Sequence, residues 1–327
     1  MQFFVHKIIF LCALLFLSPA GAQDTTDYPF CQPHFQLQTQ QELSRIYTQK
    51  AIPHGLPQRI QYFSQQFLDK PYTWTTLGEG KAAQYDQAPL YRFDTFDCQT
   101  YVETVLALSL ADSATTFKPC INRIRYANGK IGYIQRHHFT SPDWNEFNQQ
   151  QGLLKDITTT FRDSRHHAIA HYADTLIEPA KWIQHFQSDK IRLCHAKSQE
   201  STTRLKQLKE LSKALPVKSS HIAYLPIERL TAKNTDSQFI LDQIPNGAII
   251  EIVRPNWDLT QAIGTHLNVS HIGFAIREQD DLYFYQASSL SHNVYKSLLV
   301  DYLISMLSQP TIKGINVQIV LPSDLCK

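Results

Sequence analysis

Phe93-Asp94-Thr95-Phe96-Asp97-Cys98-Gln99-Thr100-Tyr101-Val102-Glu103-Thr104-Val105-Leu106-Ala107-Leu108 is the stretch on which the fold turns. From Cys98 onward the apolar positions Tyr101, Val102, Val105, Leu106 and Leu108 recur at helical spacing, which predicts a buried helix beginning at or just before the cysteine. Asp97 has the right chemistry for an N-cap and places the thiol in the first turn. Unpaired N–H groups and the positive end of the helix dipole favour a thiolate there. A cysteine opening a buried helix suits a nucleophile, whereas a lone half-buried cysteine is an ordinary structural residue. The choice between them depends on whether the chain supplies a base and a group to orient it.

Downstream, Val269-Ser270-His271-Ile272-Gly273-Phe274-Ala275-Ile276 alternates as a strand. Val269, His271, Gly273 and Ala275 fall on one face, with small residues beside the histidine. The polar connection Arg277-Glu278-Gln279-Asp280-Asp281 has hairpin length, so Leu282-Tyr283-Phe284-Tyr285-Gln286-Ala287-Ser288 is expected alongside, with Gln286 near His271. Cys98, His271 and Gln286 can therefore serve as nucleophile, base and orienting group.

Upstream of Cys98, Gln40–Tyr47 and Pro57–Phe67 read as helices, Lys70-Pro71-Tyr72 breaks the second, and residues 73–92 are loop-like. The Cys98 helix fades at Asp112-Ser113. Ile121–Tyr126 and Ile131–Tyr133 read as β-prone segments on either side of the turn signal Asn128-Gly129. Residues 150–235 read as a long insertion, with the helical run Thr202–Leu215 and the charges from Lys206 to Lys218 on a solvated face. Strands are expected at His221–Pro226, Asn246–Val253, Val269–Arg277, Leu282–Ala287 and Ile315–Leu321, and a helix at Lys296–Leu307. The pattern is α+β: helices first and an antiparallel sheet last, in a single elaborated domain over 23–327.

The chain has 327 residues, 43% hydrophobic, and a net charge of +2, which supplies a core and argues against nucleic acid as a partner. Lys7, the apolar run Ile8–Leu17 and Ala20-Gly21-Ala22 read as a signal peptide over 1–22, predicting a periplasmic or secreted protein. No later stretch is long enough for stable membrane insertion. With Cys12 inside the leader, Cys31, Cys98, Cys120, Cys194 and Cys326 remain, an odd set that leaves a thiol over in an oxidising compartment. If Cys98 is free, the other four can pair in three ways; Cys31 with Cys326, near the two mature ends, is the pairing expected here.

No metal or other cofactor is expected. His167 and His171 have helical i, i+4 spacing, but Ala168 stands where a zinc protease needs glutamate, so they read as a structural or surface pair. Asn268-Val269-Ser270 matches a glycosylation sequon.

Several motifs taken together carry a resemblance. They are Lys70-Pro71-Tyr72, Phe96-Asp97-Cys98-Gln99-Thr100-Tyr101-Val102-Glu103, Gly132-Tyr133 with Arg136, His138, Asp143 and Trp144, Ile244-Pro245-Asn246-Gly247, and Ser270-His271-Ile272-Gly273-Phe274. From about Phe67 to near the C-terminus the chain resembles the N-acetylmuramoyl-L-alanine amidase-like group, domain of unknown function 1460, within the NlpC-type papain-like cysteine peptidases. The resemblance implies a papain-like core with the nucleophile helix packed on the sheet. It also implies Cys98 as nucleophile, His271 as base, and peptidoglycan fragments or muropeptides as substrate. The third polar position is commonly histidine in that superfamily and is matched here by Gln286. Tyr72, Arg136, His138, Asp143 and Trp144 are the candidate substrate-binding residues, with Trp144 as a stacking surface. The bond implied is N-acetylmuramoyl-L-alanine; cleavage after γ-D-glutamate in the stem peptide, and a non-catalytic wall-binding module, are the rival readings.

Overall fold

A computed structural model describes residues 28–49, 51–196 and 198–327, so the leader read at 1–22 lies outside the described residues. Four helices lead the chain: α1 (Pro33–Tyr47), α2 (Leu56–Gln66), α3 (Cys98–Leu110) and α4 (Ala114–Arg125). Helix α3 is central, with every residue from Thr100 to Leu110 buried. A helix apolar on all sides needs cover on all sides. It is packed by α2, by α4 and by the sheet.

The sheet contains β1 (Leu154–Asp156), β2 (His171–Ile177), β3 (Lys218–Pro226), β4 (Ala248–Leu259), β5 (Thr265–Glu278), β6 (Asp281–Ser288), β7 (Asn293–Leu298) and β8 (Gly314–Val320). Its order is β2-β3-β8-β4-β5-β6-β7, with β1 also beside β8, and every pairing is antiparallel. One face carries Ile249, Ile272, Phe274, Ile276 and Tyr285 against α3. The other carries Ile250, Ile252, Ala275 and Phe284 and is covered by Leu299 and Leu303 of the helix Leu299–Met306. The molecule is thus α+β, with the cysteine helix packed on an antiparallel sheet.

Four expectations are corrected. Ile121–Arg125 ends α4 instead of forming a strand: Ser113 and Thr116 cap the helix reciprocally, and Phe117, Cys120, Ile121 and Ile124 share its buried face. Residues 150–235 hold β1 and β2 besides the strand expected at His221–Pro226, which is β3 and bridges β2 to β8. Lys296–Leu307 is helical only from Leu299 to Met306, since Lys296, Ser297 and Leu298 end β7 and pair with β6.

The disulfides join Cys31 to Cys194 and Cys120 to Cys326 and leave Cys98 free, so the two chain ends are tied to the body and not to each other. Cys120 faces inward from α4 onto the C-terminal turn, and Phe30 beside Cys31 packs under Arg192.

Asn268 of the sequon is buried, its amide donating to Ala173 O and Ser220 O. His167 lies in a loop against Asp163, and His171 opens β2 against Tyr224, so they share no helical face. Among the described residues no helix is long and apolar enough to cross a membrane, and no group of three or more His, Cys, Asp or Glu is placed to hold a metal ion.

Candidate active site

Cys98 is the first residue of α3. The Thr100 N–H donates to Asp97 Oδ1 at 2.8 Å and the Asp97 N–H donates to Thr100 Oγ1 at 3.0 Å, closing a reciprocal cap around the cysteine. Burial pushes the thiol up to about 12, and the adjacent Asp97 carboxylate acts in the same direction. The N–H groups of Gln99, Ile272 and Cys98 itself point at the sulfur and oppose this without overcoming it. The resting group is a thiol and not the thiolate that the helix terminus alone predicts, because desolvation outweighs the backbone dipoles.

His271 sits on β5 just after a bulge: the β4–β5 register passes from Ile252–His271 to Val253–Val269 and skips Ser270. Such a bulge re-aims the side chains around it. Its Nε2 lies 2.5 Å from Gln286 Oε1. Because an amide oxygen only accepts, Nε2 carries the proton and Nδ1 keeps its lone pair. The Gln286 amide is itself held, its Nε2 donating to Tyr295 OH at 3.2 Å. Burial lowers His271 to about 4, opposed by the bond to Gln286, so the ring is neutral at pH 7. Gly273 permits this close approach of strands: a Cβ there would stand 2.5 Å from Tyr285 O and 2.6 Å from the Phe284 ring.

Pairing of β5 with β6 runs from Glu278–Asp281 to Phe274–Tyr285 and stops there. Beyond that point the N–H of Ile272, the residue after His271, is directed at the Cys98 sulfur. The Ile272 N–H thus faces the sulfur from the α3 side of β5, while the ring of the preceding His271 packs against Phe284 and Tyr302. Thiol and imidazole make no hydrogen bond with each other in this resting state, whereas His271 and Gln286 do.

The five flanking candidates divide. The Tyr72 ring meets Trp74 edge-on at 5.3 Å, and the next residue donates its N–H to Phe96 O, two residues before Cys98. His138 lines a cleft with Thr140, whose hydroxyl donates to Gln99 Oε1 at 3.3 Å. The other three are framework. Arg136 pairs with Glu79 at 3.6 Å and donates to Leu77 O, bracing the 73–92 loop. Asp143 is buried against Lys218. Trp144 is wholly buried in the α3 core and offers no stacking surface.

Sequence reasoning missed Tyr295, Trp182 and Trp74. Tyr295 lies between the segment read as strand and that read as helix, and Trp182 in the segment read as an insertion. Trp74, 59% exposed beside Tyr72, lies in a segment read only as loop.

A family model described as N-acetylmuramoyl-L-alanine amidase-like matches residues 62–311. Among solved structures, a Legionella pneumophila protein of the family domain of unknown function 1460 is 45% identical, with a TM-score of 0.85 over 88% of this chain and 96% of that one. An N-acetylmuramoyl-L-alanine amidase from Bacteroides uniformis shares the fold at 24% identity and a TM-score of 0.56, over 81% of this chain and 98% of that one. A Bacteroides fragilis protein provisionally named a xylanase is 26% identical, with a TM-score of 0.54 over 79% of this chain and 98% of that one. No curated protein matches.

Proposed function

This chain belongs to the N-acetylmuramoyl-L-alanine amidase-like family, and from that membership we propose that it is an exported cysteine hydrolase of NlpC type that cleaves the amide between N-acetylmuramic acid and L-alanine in peptidoglycan or muropeptides. The observation that carries this reading is the His271–Gln286 pair at 2.5 Å, which assigns the base role to Nδ1, on the strand whose next N–H faces the Cys98 sulfur. The leader-like segment and the two disulfides support a periplasmic or secreted location.

In the proposed reaction His271 Nδ1 takes the Cys98 proton as the sulfur attacks the lactyl carbonyl, so charge develops only when substrate is present. The N–H groups that face the sulfur at the start of α3 are suited to stabilise that charge, with the Cys98 N–H turned toward the oxyanion. The imidazolium then protonates the leaving alanine nitrogen, the C–N bond breaks, and a thioester remains. Water, deprotonated by His271, splits the thioester and frees the lactyl carboxylate and the thiol. Gln286 acts by holding the ring's other nitrogen.

Incubation of defined muropeptides with wild type and Cys98→Ala, followed by mass spectrometry, tests the reading. Free N-acetylmuramic acid with an intact stem peptide is expected from wild type and none from the variant. Split stem peptides would reassign the enzyme as an endopeptidase. No turnover by wild type would leave a wall-binding module, and turnover that survives Cys98→Ala would remove the thiol mechanism.

A further inference from the structure

Residues 73–92 form an arm whose first residues cross the turn that opens α3. The Thr73 N–H donates to Phe96 O at 2.9 Å, and the Thr76 hydroxyl lies 3.1 Å from the Thr100 hydroxyl. These two contacts fall on either side of Asp97 and Cys98. Thr100 Oγ1 is also the atom that accepts the Asp97 N–H in the cap around the cysteine. The arm therefore reaches the cap itself. We infer that Arg192, which grips this part of the arm, is a positioning residue for the nucleophile, acting on Cys98 through Thr76 and the cap. The inference rests on the hydrolase reading above and gives that site a residue from the 150–235 segment.

Arg192 holds the residues on both sides of Thr76: its guanidinium donates to Thr75 O and, at 3.0 Å, to Leu77 O. The same guanidinium pairs with the buried carboxylate of Asp86 farther along the arm. A planar fork serves three such acceptors at once, which an ammonium on a flexible stem does not reproduce. The backbone held there is strained. Thr75 has a φ of 51°, in the left-handed region that a β-branched residue rarely occupies. Such a conformation persists only where its surroundings over-determine it, and the bond from Arg192 to the Thr75 carbonyl is one such constraint.

Arg192 is itself fixed. Its N–H donates to Tyr85 O at 3.0 Å, its carbonyl accepts from the Gln87 N–H at 2.7 Å, and the Cys194 N–H donates to Gln87 Oε1 at 2.7 Å. The Cys31–Cys194 bridge staples this segment to the N-terminal turn, where the Arg192 guanidinium stands 6.0 Å over the Phe30 ring. Arg136 also donates to Leu77 O, so removing the Arg192 guanidinium frees Thr75 and leaves the arm attached.

The test compares Arg192→Gln, Arg192→Lys and Thr76→Val with wild type in the full chain, with circular dichroism to establish folding. In Arg192→Gln, kcat/KM on muropeptides should fall by about tenfold or more, because a small displacement of a nucleophile is costly, and Arg192→Lys should not restore it. Alkylation by iodoacetamide, followed on the Cys98 peptide by mass spectrometry, should quicken by at least about threefold in both variants as the cap loosens. Adding Arg192→Gln to Thr76→Val should change either readout by less than about twofold, since both substitutions break one connection. Should Arg192→Gln not fold, the pair Cys31→Ser and Cys194→Ser loosens the segment that bears Arg192 and should quicken alkylation in the same direction. A folded Arg192→Gln with wild-type kcat/KM and alkylation, full additivity with Thr76→Val, or unchanged alkylation in the serine pair would overturn the role. Absence of muropeptide turnover by wild type removes the hydrolase reading alone, and the alkylation rates still decide whether Arg192 positions the thiol.

Discussion

Two regions carry residue types suited to chemistry, and the structure treats them in opposite ways. In the stretch from Arg136 to Trp144, the guanidinium meets Glu79, the Asp143 carboxylate meets Lys218 and the indole of Trp144 is sealed in the core. At the pole formed by Cys98 and His271, the thiol is unbridged and the imidazole keeps one nitrogen uncommitted after Gln286 takes the other. The difference teaches that residue type nominates a site and burial and packing decide it. A polar group whose capacity is used up inside the protein supports the fold, and a group with a lone pair to spare can act on a substrate.

His271→Ala should break the comparison most visibly. With no base to take the thiol proton, kcat/KM on muropeptides should fall by about 10⁴-fold or more while the thermal midpoint barely moves. A loss below tenfold would mean that another group serves as base. Trp144→Ala should do the reverse, lowering stability by about 3–5 kcal/mol in denaturant titrations while kcat/KM per folded molecule stays within about threefold. A collapse of kcat/KM in a variant of wild-type stability would return Trp144 to the site.

Much of the active pole was legible because its signals are local. The cap and helical spacing around Cys98, the alternation about His271 and the charged turn before Leu282 each need fewer than twenty residues to read. The remainder depends on distant partners. β1 was invisible because Leu154 pairs with Val320, and Ile121–Arg125 favoured strand until the Ser113–Thr116 cap and the face packed on α3 decided for helix. The burial of Trp144 and the raised thiol are likewise sums over neighbours from many segments, so dipole arguments from Asp97 and Cys98 alone gave the wrong protonation state. β2 escaped for the same reason, since its partner is β3, well along the chain, whereas most of β3 itself was legible at His221–Pro226.

Within the pole itself, pH sharpens the comparison. A neutral imidazole acting as base loses activity when it is protonated, so kcat/KM should be flat through neutrality and fall only as pH drops through about 4. An acid limb near the free-histidine value would show that His271 is better solvated than the fold implies. Gln286→Ala should reduce kcat/KM by about 10²-fold by freeing the ring to rotate and change tautomer. Removing an acceptor that favours the protonated ring should also move the limb to lower pH.

The smallest effect tests how far the satisfied network must reach to keep one lone pair free. Tyr295 touches neither sulfur nor imidazole; it receives the Gln286 amide N–H at 3.2 Å and thereby favours the rotamer that turns Oε1 toward His271. In Tyr295→Phe the amide can flip and present NH₂ to Nε2, which would force the ring proton onto Nδ1 and disable the base. An energy difference of about 1 kcal/mol between the two orientations allows only a few-fold loss in kcat/KM. The distinguishing readout is therefore the imidazole tautomer: ¹⁵N NMR of Cys98→Ala should show Nε2–H alone, and the double variant with Tyr295→Phe should show a measurable Nδ1–H fraction. Unchanged tautomer populations would mean that Gln286 is oriented by its own backbone and packing, and the network that defines the pole would end one residue sooner.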